Sequence, residues 1–102
     1  MAKLIALYKK PADAAAFDRY YVATHAPLAK KIPGLHSFQV STGGVATPAG
    51  DSPFHQIAIL GFDSKQALLD GLGTPEGKAT VADLANFPQA GVDVLIFDSK
   101  DA

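Results

Sequence analysis

The chain contains no cysteine and no tryptophan among its 102 residues. Without a thiol it has no disulfide, no thiol nucleophile and no thiolate metal ligand. Charge of either sign is scarce: nine basic residues stand against ten acidic ones, for a formal net charge of −1. That balance offers no basic stripe to nucleic acid or to an anionic membrane. No apolar run approaches the roughly 20 residues needed to cross a bilayer. The opening "MAKLIALYKK" meets charge too early for a secretory signal, so the cytoplasm is the expected location. What is present is an ordinary globular balance, 48% hydrophobic and 19% charged. A chain of this length is expected to form one domain over residues 1–102 with a modest core.

The periodicity predicts four strands and two helical regions. "KLIALYK" (3–9) carries apolar residues on both faces, as a strand covered on both sides does. Asp13 is placed to cap the helix that follows. In "AAAFDRYYVATHAPL", Phe17, Tyr20, Tyr21, Thr24, His25 and Leu28 recur at helical spacing and form one apolar stripe. Pro27 should end, kink or tighten that helix at Ala26. "LHSFQVS" (35–41) is a second strand, and "TGGVATPAGDSP" (42–53) a flexible connection. "FHQIAILGF" (54–62) is the third strand. Residues 63–87 should be helical in two pieces, started at Asp63 or Ser64 and interrupted between Gly71 and Pro75. "VDVLIFD" (92–98) is the fourth strand.

The order β-α-β-β-α-β is the split βαβ arrangement, an α+β fold. It predicts a four-stranded antiparallel sheet with helices on one face. No residues remain to cover the other face, so a homodimer formed through the open sheet face is expected.

The segments "PADAAAFDRYYVATHAPLAKKIPGLHSFQVS" and "FHQIAILGFDSKQALLDGLGTPEGKATVADLANF" resemble the EthD family of the dimeric α+β barrel superfamily. The most specific pieces are the aromatics from Phe17 to Tyr21, "THAPL", "IPGL" and "PEGKATVADLANF", and the resemblance covers nearly the whole chain. It implies a ferredoxin-like fold, sheets pairing into a dimeric barrel, and a pocket between each sheet and its own helices. It does not fix a reaction, because relatives include cofactor-independent oxygenases, isomerases, cyclases, decarboxylases and haem-handling proteins.

His25, the histidine of "THAPL", is the first candidate. An imidazole titrates near neutral pH and suits proton transfer at an enol, phenol or lactone. The competing reading is a histidine that bonds a freed carbonyl at a helix end. Tyr20 and Tyr21, one turn earlier, would hold a substrate oxygen; otherwise Tyr21 is core and Tyr20 half-buried with a wet hydroxyl. Tyr8, Phe38, Gln39 and His55 are candidate ligand contacts, with Gln39 facing either a ligand or the dimer seam and His55 at the pocket mouth. His36 is expected to be exposed, and the spacing of the three histidines makes no metal site. "GLGTPEGKAT" lacks phosphate-loop spacing. Asp18, Asp63, Asp70 and Asp83 read as caps and solvated faces.

The reading that follows is a cofactor-free isomerase, cyclase or oxygenase acting on a small apolar carbonyl, lactone or ring compound, with His25 as proton shuttle. The alternative is a protein that binds a hydrophobic metabolite without transforming it. A third reading, a structural dimer, requires Phe17, Tyr21, Phe38 and Phe62 to fill the cavity. Haem enters only by analogy with the superfamily.

Overall fold

The computed structural model describes residues 1–102. Its first strand, β1, runs Ala2–Lys9, followed by α1 (Ala14–Tyr20), a π-helical turn (Tyr21–His25) and α2 (Ala26–Ala29). Then come β2 (Ser37–Val40), β3 (Ala46–Thr47), β4 (Gly50–Asp51), β5 (Phe54–Phe62), α3 (Lys65–Leu72), α4 (Pro75–Asp83) and β6 (Val92–Asp98). The main sheet is antiparallel in the order β2-β5-β1-β6. This is the ferredoxin-like arrangement, with each βαβ crossover skipping over a strand from the other half. No helix is long and apolar enough to cross a membrane.

Capping explains where the helices start. The Asp13 carboxylate accepts from the Ala16 N–H at 3.0 Å, and the Ser64 hydroxyl accepts from the Ala67 N–H at 3.0 Å. Thr74 does the same for α4, accepting from the Gly77 N–H at 3.1 Å, with Pro75 in the first turn. Gly77 also sets how α3 and α4 meet. A Cβ there would sit 2.2 Å from the Gly71 carbonyl oxygen, so only glycine allows this approach.

Two sequence-based expectations change. The first helical region neither ends nor tightens at Pro27. The backbone widens ahead of the proline, with the Ala26 N–H bonding the Tyr21 carbonyl five residues back, and α2 passes through Pro27. A proline inside a regular helix removes one hydrogen bond and crowds the carbonyl four residues earlier, and the wider turn relieves both. The connection 42–53 is not featureless either: β3 and β4 form a small ribbon, and the Ser52 hydroxyl donates to the Val45 carbonyl at 2.6 Å.

The two sheet faces differ. Leu4, Ala6 and Tyr8 share one face with Ala58, Leu60 and Ile96, beneath the helices. Tyr8, Phe17, Phe62 and Leu68 are fully buried there. Ile5, Leu7, Ile57, Ile59, Leu95 and Phe97 point the other way, and no element of the chain covers them.

Candidate functional site

A cavity of about 180 Å³ lies between the helix face of the sheet and the helices. Its existence follows from small residues at central positions. Ala6 and Ala58 are cross-strand partners on the floor, and Ala29 of α2 is on the roof. Larger aliphatics at these positions would fill the space. Phe17 and Phe62 pack in the core outside the cavity, while Tyr21 and Phe38 line it, so the four aromatics do not fill it.

His25 reaches this cavity from the π turn. It is 4% exposed, and its Nδ1 lies 2.9 Å from Oδ2 of Asp83, itself 5% exposed. A carboxylate accepts from Nδ1–H, which leaves the lone pair of the imidazole on Nε2. Nε2 faces the Tyr8 hydroxyl at 3.5 Å, long enough for a ligand atom to displace either group. The other Asp83 oxygen accepts from the Tyr20 hydroxyl at 2.8 Å, and from the Asn86 amide at the longer distance of 3.5 Å. Phe87 closes the back of the cluster, stacked on Tyr20 and 5.0 Å from the His25 ring centroid.

Electrostatics sort these groups into donors and acceptors. Burial pushes the Tyr8 phenol far above its ordinary value, reinforced by the Tyr21 hydroxyl and the Asp83 carboxylate. Burial also raises Tyr21, although the polar groups of Tyr8 and Gln56 beside it oppose the shift. Both phenols therefore stay protonated as hydrogen-bond donors. Tyr20 is raised chiefly by donating to Asp83. For Asp83 itself burial favours the neutral acid, but hydrogen bonds from His25, Tyr20 and Asn86 outweigh it and hold the carboxyl below its usual range. The arrangement can accept a proton at Nε2 and donate hydrogen bonds to a developing oxyanion from Tyr8 and Tyr21.

The structure brings together His25, Tyr21, Tyr8 and Phe38 at the cavity, with Tyr20 behind it through Asp83. It does not bring in Gln39 or His55. Gln39 pairs with Ile59 across β2 and β5, which puts it on the open sheet face and away from the helices. His55 lies beside the register shift at the end of the β1–β5 ladder. Its Nε2 is 2.7 Å from Asp18 Oδ1 and its ring packs edge-on against Phe17, in a separate polar cleft shared with Lys10 and Asp51. His36 is exposed and 3.0 Å from Asp63. Each of the three histidines thus has its own aspartate partner.

Asp83 is the residue that the sequence reading placed wrongly, on a solvated face. Its signal was there: Gly77, Thr80 and Asp83 are spaced by three along α4, and all three are buried. Thr80, which also lines the cavity, shares that stripe. The hydroxyl of Thr80 donates to the Glu76 carbonyl at 2.9 Å, so it brings no hydrogen-bond donor to the cavity.

Comparison with known proteins agrees with this fold. Residues 9–90 match the family model of the EthD domain. The chain is 36% identical over 101 residues to an uncharacterised 11.0 kDa protein from the thcB–thcC intergenic region of Rhodococcus erythropolis, covering 98% of this chain and 96% of the relative. The crystal structure of an ethyl tert-butyl ether D (EthD) family protein from Bacillus halodurans superposes with a TM-score of 0.89 at 39% identity, covering 98% of this chain and 99% of that one. A more distant structure, SnoaB, a cofactor-independent oxygenase from Streptomyces nogalater, has a TM-score of 0.67 at 15% identity, with 99% and 94% covered, and shares the fold. With the ferredoxin-like sheet in place and most of its length matched, the chain belongs to the EthD family.

Proposed function

We propose that this protein catalyses cofactor-independent proton transfer on a small apolar carbonyl, lactone or ring compound held in the inner cavity. The observation that carries this reading is the pairing of His25 with Asp83 at 2.9 Å, both buried, with Nε2 turned to an otherwise apolar space. Nε2 takes a proton from a carbon next to the substrate carbonyl, and Tyr8 and Tyr21 hydrogen-bond the oxygen on which charge develops. Return of the proton at another carbon completes an isomerisation, and attack by the carbanion on a second carbonyl completes a cyclisation. Transfer of electrons from the carbanion to dioxygen would make an oxygenase, as SnoaB is. The cavity suits one ring, since an apolar cavity of about 150 Å³ accepts benzene. The working unit in this reading is one EthD-like domain per chain, paired with a second copy. The apolar open sheet face, where Leu95 is 51% and Phe97 41% exposed, supports that pairing.

The test is hydrogen exchange rather than product formation, because it requires no knowledge of the final product. Small cyclic ketones, lactones and phenols are incubated with the protein in D2O and their C–H signals are followed by proton NMR. Wild type should exchange at least one probe on the order of 100-fold faster than buffer, and His25→Gln should abolish the gain. Saturable binding of these probes with no exchange would overturn catalysis and leave a protein that sequesters its ligand.

A further inference from the structure

Beyond the inner cavity, a shallow groove of about 270 Å³ runs along the outside of the π turn beside the edge strand β2. It is lined by Val22, Ala26, Val40 and Lys30, together with Tyr21 and Phe38. Two features make it unusual for a surface. Val22 is 74% and Val40 42% exposed, large apolar side chains left in water on adjacent elements. Tyr21 and Phe38 also line the inner cavity, so these two side chains form a common wall between the spaces. Tyr21 is fixed within the aromatic cluster, being 4% exposed and packed on Phe17. Phe38 is only half-buried and stands on an edge strand, so it is the movable part of the wall. Lys30 is the one charged residue lining the groove.

We infer that the groove is a second binding subsite, taking the apolar tail of a ligand whose oxygenated head occupies the inner cavity, with Phe38 as the partition between them and Lys30 for an anionic group at the tail's end. This rests on the inner cavity being the ligand site, as proposed above, and narrows the ligand class to alkyl-substituted ring or carbonyl compounds, those with a terminal carboxylate binding best. The geometry supplies each part. Adjacency comes from the shared wall, apolar contact from Val22, Ala26 and Val40, and the charge preference from Lys30. An inner cavity of about 180 Å³ has no room for both a ring and a chain of several carbons, so a long chain must leave through a wall.

Binding of phenol, 4-butylphenol, 4-hexylphenol and a 4-(ω-carboxyhexyl)phenol is measured by titration calorimetry. Wild type should bind phenol, and affinity should rise by roughly two- to fourfold for each added methylene that the groove covers. The carboxylate should add a further gain that vanishes in Lys30→Glu. Val22→Asp should remove the chain-length gain and leave phenol binding unchanged, and Phe38→Ala, which opens the partition, should raise the affinity of the long-chain ligands relative to that of phenol. Phenol binding without any chain-length gain would overturn the subsite and leave the inner-cavity reading intact. Absence of binding by every probe would overturn both. Loss of dimer in Val22→Asp, read by light scattering, would make the groove an interface between copies and overturn the subsite as well.

Discussion

Two histidine–aspartate pairs in this molecule have nearly the same geometry and opposite surroundings. His25 and Asp83 are 2.9 Å apart with side chains 5% and 7% exposed. His55 and Asp18 are 2.7 Å apart, but Asp18 is 57% exposed. The shorter contact is the weaker one. In water the attraction between such groups is screened and offset by the entropy of holding two side chains in place. Inside the fold, removal of one partner strands the other without solvent, and that cost is large. Distance alone therefore says little about which histidine matters, and burial decides. Around His25 the carboxylate also accepts from Tyr20, so the pair is one segment of a network that fixes the orientation of the ring.

The largest effect should come from Asp83→Ala, which leaves His25 and the Tyr20 hydroxyl without their acceptor. A loss of about 3 kcal/mol is expected, or a fall in melting temperature of more than about 10 °C for a domain of this size. A change below about 1 kcal/mol would show that water reaches the pair and would erase its contrast with His55.

pH sharpens the comparison further. The folded-state carboxyl of Asp83 lies below its ordinary value, so its contribution is complete above about pH 4 and is lost as pH falls through the lower folded value. Asp83→Asn should flatten the stability profile on that acid side, as followed by urea unfolding. Tyr8 and Tyr21 are shifted in the opposite sense, upward. Their contribution is complete below about pH 10 and declines as pH rises beyond it. Tyr8→Phe should therefore reduce the alkaline loss, while the acid side is unaffected.

The smallest effects are expected at the surface pairs. His55→Ala and His36→Ala should each change stability by less than about 0.5 kcal/mol, with His36 the smaller because its ring is 53% exposed. Chemical unfolding of the two variants beside Asp83→Ala would complete the series, and a loss of several kcal/mol at His55 would break it.

How much of this was legible beforehand depended on the range of the interactions. Strands 54–62 and 92–98 were visible as apolar runs because the signal is local. The cap at Asp13 and a helix start at Asp63 or Ser64 were visible for the same reason, and the structure uses Ser64. Pro27 was correctly seen as a problem for the helix, but a proline does not say whether the backbone stops or widens around it. His25 and Asp83 are 58 residues apart, and no short-range pattern links them. The stripe Gly77–Thr80–Asp83 pointed inward, yet an aspartate on such a stripe looks like a cap until its partner is known. Gln39, left between a ligand and the dimer seam, falls on the open sheet face, and the choice was illegible on a different ground. The face a strand residue occupies depends on register, and register depends on pairing with β5 across a connection of uncertain length.

At the centre of the proposed chemistry, Asp83 holds the proton on Nδ1 of His25 and turns an unprotonated Nε2 toward the cavity. Long-range nitrogen–proton correlation NMR on protein with labelled histidine reads this directly at neutral pH. His25 should show a protonated Nδ1 and a bare Nε2, with the preference lost in Asp83→Asn. A proton on Nε2, or on both nitrogens, would contradict this, because Nε2 would then have no lone pair facing the cavity with which to take a proton from a ligand.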